Sequence, residues 1–69
     1  MHAADATIVD WAQLVRAEYA EMPGLKLTER QAQRLWGLDE KTCRVILLAL
    51  VRTRFLRRAA NGMYIRAGN

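Results

Sequence analysis

Residues 28–51 read TERQAQRLWGLDEKTCRVILLALV, and their reading decides the fold. Thr28 is a helix N-cap residue type, and Gln31 three positions on is placed to close a capping box. Ala32, Leu35 and Trp36 recur at helical spacing, and Gly37 ends the helix. Only Leu38 intervenes before a second cap, Asp39. That cap opens a longer helix whose apolar run is 45–51 and whose core stripe is Cys43, Leu47 and Leu50, with Ile46 open between the stripe and its apolar neighbours. Two helices joined by so short a turn cannot lie antiparallel, so they cross steeply.

Upstream, Ile8, Trp11, Ala12, Val15, Tyr19 and Met22 fall on one stripe at spacings of three and four, against Asp10, Gln13, Ala17 and Glu21 on the opposite face. Asp5 or Thr7 is the expected cap, residues 1–4 are expected to fray, and Pro23-Gly24 ends this helix near residue 22. Trp11 and Trp36 are expected in the core. Leu25-Lys26-Leu27 is too short for an independent strand but long enough to pair with one. Downstream, Asn61-Gly62 separates Phe55-Leu56-Arg57-Arg58 from Met63-Tyr64-Ile65-Arg66, a hairpin signal. A two-residue turn pairs Ala59 with Tyr64, and a three-residue loop ending in a Gly62 bulge pairs Ala59 with Met63. The sequence leaves both registers open. Residues 67–69 are expected to form a loose end.

The chain has 69 residues, 52% of them apolar, which is enough for one small domain with one core. Its single cysteine, Cys43, excludes an internal disulfide and reads as a small buried hydrophobe. No apolar run approaches a membrane span and no targeting signal is visible, so a soluble cytoplasmic protein is expected. The net charge of +4 is unevenly laid out. Residues 1–40 hold all seven acids against four bases, and residues 41–69 hold seven bases and no acid. Segregation of this kind presents a basic end to a polyanion, and for an intracellular protein that points to nucleic acid.

Catalysis is not expected. The only histidine is His2, in the expected tail, so no Ser-His, Cys-His or histidine-metal arrangement can be assembled. Asp39-Glu40 at a helix start caps the helix and favours its dipole, and the glycines form no phosphate loop. Neither a metal nor a cofactor is expected.

The order helix, short strand, helix, helix, hairpin is mainly α with a small β-hairpin, an α+β layout. It resembles the winged helix-turn-helix DNA-binding domains of bacterial transcription regulators over about residues 7–66. The residues carrying the resemblance are Leu27-Thr28, Gly37-Leu38-Asp39 with Thr42, Leu47 with Leu50, and Phe55-Leu56-Arg57-Arg58 with Asn61-Gly62 and Tyr64. It implies three helices and a wing of two or three antiparallel strands. The chain departs from that family in three places. Ala32 lies five residues before Gly37 where the family commonly has an alanine four before. Arg54 stands where a glycine is usual, at a cost of roughly 1 kcal/mol if the position is left-handed. The second motif helix is unusually apolar.

The resemblance implies DNA contacts by position. Lys41 and Arg44 would meet base edges or phosphates in the major groove, beside Thr42. Thr28, Arg30 and Gln31 would hold a phosphate at the first motif helix. Arg57, Arg58, Asn61 and Arg66 would follow the backbone or enter the minor groove, with only one of Arg57 and Arg58 facing DNA. A homodimer is expected, through the first or the last helix. The competing reading is a protein-interaction module, because Val45 and Leu48 fall where a DNA reader has polar groups.

Overall fold

A computed structural model describes residues 3–68, with side chains from Ile8 onward; Met1, His2 and Asn69 lie outside the described residues. Three helices, α1 (Ala3–Glu21), α2 (Glu29–Trp36) and α3 (Glu40–Arg52), precede an antiparallel hairpin of β1 (Leu56–Arg58) and β2 (Tyr64–Arg66). The mainly helical α+β layout expected from the sequence is the one observed. No helix among the described residues is long and apolar enough to cross a membrane.

Local chemistry sets most of the helix ends. The Thr28 hydroxyl accepts from the Gln31 N–H at 3.1 Å, and the Thr28 N–H donates to Gln31 Oε1 at 2.9 Å, which completes the capping box. Gly37 closes α2 at φ 65°, a left-handed conformation that suits a residue without Cβ. Asp39 caps α3 by accepting from the Thr42 N–H at 3.1 Å. At α1 the expectation fails. The helix already runs at Ala3, so Asp5 and Thr7 lie within it and neither is its cap. Ala3, Ala4 and Ala6 are strong helix formers and carry the helix back through residues expected to fray.

One core joins all three helices to the hairpin: Val15 and Tyr19 of α1, Ala32 of α2, Cys43, Ile46, Leu47 and Leu50 of α3, then Leu27, Leu56 and Tyr64. Trp11 and Trp36 are partly buried against it. Two expected core residues are not in it. Met22 sits beyond the end of α1 and is 48% exposed. Leu35 is 54% exposed, because α2 has only two turns and buries the row of Ala32 and Trp36.

The hairpin takes the three-residue loop. Its register pairs Leu56 with Arg66, Arg57 with Ile65 and Arg58 with Tyr64. Beyond the strands, the Ala59 N–H donates to the Met63 carbonyl at 2.8 Å and the Gly62 N–H to the Ala59 carbonyl at 2.9 Å. Gly62 is left-handed at φ 85° and Asn61 is not, so the loop is a turn ending in a glycine bulge. Leu27 adds a single bridge outside β2: its N–H donates to the Tyr64 carbonyl at 3.3 Å, and the Tyr64 N–H donates back at 2.7 Å. The expected third strand is thus one residue pair. Arg54, entering the hairpin, holds φ 66°. Ala67 is not loose, since its N–H donates to the Phe55 carbonyl at 3.0 Å.

Candidate nucleic-acid interface

The ten residues singled out for DNA contact fall into three places with different chemistry. At the start of α2, the side chains of Thr28 and Gln31 are spent on the capping box, and the cap also takes the Gln31 N–H. Arg30 is exposed beside them. What this end offers an anion is therefore the Arg30 guanidinium and the first N–H groups of the helix.

At the start of α3, Arg44 is already engaged. Its Nη2 donates to Glu40 Oε2 at 2.8 Å, and its Nε lies 3.4 Å from Glu29 Oε2, which ties α3 to α2. The first of these pairs was legible as an i, i+4 spacing. The second is a tertiary contact between residues fifteen positions apart by number. Thr42 is committed too: bonds from its hydroxyl and then its N–H hold the Asp39 carboxyl below the usual carboxylate range. Lys41 is exposed, but Glu29, Asp39 and Glu40 surround this helix end with negative charge. Further along the outward side, Val45 and Leu48 are 44% and 48% exposed. With Ala49, Val51 and Arg52 they line an open apolar groove of about 480 Å³.

The hairpin is different. Arg57 is exposed and, paired with Ile65, stands on the sheet face opposite the buried Leu56 and Tyr64. Arg58 shares the face of Tyr64 and sets its guanidinium carbon 5.8 Å from that ring's centroid. Asn61 stabilises the loop, its Oδ1 accepting from the Met63 N–H at 3.1 Å. Arg66 lies over Phe55 at 5.2 Å, with its Nε buried and unpartnered among the described residues. Phe55 also meets Tyr19 edge-on, with centroids 6.5 Å apart and planes at 88°.

One cation escaped the sequence reading. Arg16 of α1, counted with the acidic half of the chain, places its guanidinium carbon 5.1 Å from the Phe55 centroid. The available signal was its position one turn before Tyr19, which puts both side chains on the same side of α1. Among the described residues, both ion pairs belong to Arg44, so the remaining bases of residues 41–69 have no carboxylate partner. No group of three or more histidine, cysteine, aspartate or glutamate side chains placed to hold a metal ion occurs among the described residues. Comparison with protein-family models, with curated proteins and with solved structures gives no match for this chain.

Proposed function

We propose that this chain binds double-stranded DNA as a small winged helix regulator of transcription. Its affinity comes from the arginines of the hairpin more than from the helix that begins at Glu40. The observation carrying this reading is the distribution of unpaired cations. Residues 41–69 contain seven bases and no acid, and only Arg44 of these has a carboxylate partner among the described residues. Unpaired, solvent-facing arginines gain most from phosphate, because no internal ion pair has to be broken first. Arg57 and Arg58 lie exposed on opposite faces of the hairpin, so a duplex backbone meets one of them.

The test is a salt titration on random-sequence duplex. Contact with about five phosphates gives a log–log slope near −4 to −5. A folded protein that fails to retard duplex at 50 mM salt refutes the proposal.

A second reading is favoured by the apolar outward face of α3. Val45 and Leu48 bracket a groove rather than a polar reading surface. Exposed apolar patches of this kind mark protein contacts, so this face would hold a second copy or another protein. Val45→Asp and Leu48→Asp, with the fold retained, separate the readings: loss of association supports the contact, and loss of duplex binding alone supports a DNA-facing helix.

A further inference from the structure

The ring of Phe55 gathers two cations that arrive from opposite ends of the chain. The guanidinium carbons of Arg16 and Arg66 lie 5.1 and 5.2 Å from its centroid, so neither is more than two such lengths from the other. Each is drawn to the ring by its quadrupole, and each repels the other. Among the described residues neither has a carboxylate partner, and neither donates a hydrogen bond to a protein oxygen. Beside Arg66, Lys26 contributes to a shallow groove of about 130 Å³ lined also by Pro23, Gly24, Leu25 and Ile65. Two positively charged planar groups are thus held on one ring, their hydrogen-bonding capacity unspent, with a third cation alongside.

The geometry points to a phosphate clamp made by Arg16 and Arg66 on Phe55, with Lys26 beside it, that grips a phosphodiester of the nucleic-acid backbone. An anion reached by both guanidiniums offsets their repulsion, and side chains already resting on the ring lose little freedom on binding. Phosphate suits the site better than a single carboxylate, because two guanidiniums share the ring and Lys26 lines the groove beside one of them. The clamp takes its nucleic-acid source from the DNA-binding reading above, and the phosphate chemistry stands apart from it.

The test follows the arginine Nε–H resonances of 15N-labelled protein during separate additions of random duplex, inorganic phosphate and polyglutamate. The clamp predicts that the Arg16 and Arg66 signals move with duplex at low concentration and with inorganic phosphate only at much higher concentration. Arg16→Gln, at an exposed helix position, is expected to keep the fold and weaken duplex binding roughly fivefold, while the salt slope loses about 0.9. Arg16→Lys should recover part of the affinity, since the charge returns without the planar fork. If Arg16→Gln matches the wild type in affinity and slope while Arg57→Ala weakens binding, the clamp is overturned and the DNA reading stands. If duplex never binds but inorganic phosphate saturates both signals, the phosphate chemistry of the clamp stands, while its duplex ligand and the DNA reading are both overturned. Preference for polyglutamate over duplex, dependent on Arg16, overturns phosphate as the ligand.

Discussion

The hydroxyl of fully buried Tyr19 donates a 2.8 Å hydrogen bond to the backbone carbonyl of Tyr64. That oxygen also accepts from the Leu27 N–H at 3.3 Å, so α1, the segment before α2 and the hairpin meet on one atom. Tyr19→Phe keeps the ring and deletes one donor. It should cost about 1–2 kcal/mol. In a domain of this size that lowers the melting temperature by several degrees, on the order of 4–8 °C per kcal/mol. An unchanged melting curve would show that water replaces the hydroxyl.

Alkaline pH should unfold the domain in two stages. Burial, reinforced by the nearby Cys43, pushes the Tyr19 hydroxyl from 10.0 up to about 12. Burial, then the charges of Glu29 and Asp39, pushes the Cys43 thiol from 9.0 up to about 11. In both cases the folded state favours the protonated form. The stabilisation is therefore complete below the unfolded value and is lost as pH climbs to the folded one. Urea midpoints should fall from pH 9 upward, less steeply in Cys43→Ala, and Tyr19→Phe should flatten the part above pH 10. A midpoint that rises with pH across this window contradicts the assignment.

Arg54 and two glycines test backbone strain with opposite signs. Arg54→Gly relieves a left-handed arginine and should stabilise the domain by about 0.5–1 kcal/mol. Gly37→Ala and Gly62→Ala impose the same strain at φ 65° and 85° and should each cost about 1 kcal/mol. No atom lies within 4 Å of a Cβ added at either glycine, so the cost is conformational rather than steric. Equilibrium denaturation of the three variants gives the comparison.

How much of this was legible in advance depended on how local the cause was. The caps at Thr28 and Asp39 and the stop at Gly37 are short-range hydrogen-bond chemistry and could be read directly. The short Leu25–Leu27 segment was legible as a pairing strand, and Leu27 alone pairs. The hairpin register was not legible, because Asn61-Gly62 suits a turn with both residues left-handed as well as one with only Gly62 so. The start of α1 was misread by favouring caps over the helix propensity of alanine. Among the candidate contacts, the pairing of Arg44 with Glu29 and the approach of Arg16 to Phe55 both arise from packing between elements; spacing within α1 places Arg16 on the side of Tyr19 but does not name Phe55 as its partner.

Removing a carboxylate should strengthen DNA binding. Glu40→Gln breaks the 2.8 Å pair with Arg44 and deletes a negative charge at the start of α3. Duplex affinity should rise severalfold at low salt, and the gain should shrink as salt screens it. Stability should change by less than about 1 kcal/mol, because the pair is exposed. Weaker duplex binding by Glu40→Gln would instead assign Glu40 a direct role in base contact.

Arg57→Ala is expected to weaken all duplex sequences by a similar factor, roughly fivefold, as a backbone contact does. Arg44→Ala should have the smaller effect, since two carboxylates already share its charge. Electrophoretic titration against two unrelated sequences separates the outcomes; a larger loss for Arg44→Ala would place the contact on α3.

Leu27 shields one side of β2 at Tyr64, while β1 pairs only with β2 among the described residues. The outer side of β1 is therefore a bare edge along its whole length, and it carries Arg57 and Arg58. A bare strand edge is a template for adding strands from neighbouring molecules, the first step towards insoluble aggregates. Two copies meeting edge to edge here would press rows of guanidinium against each other. The charges on this edge therefore oppose strand addition, whatever else they bind.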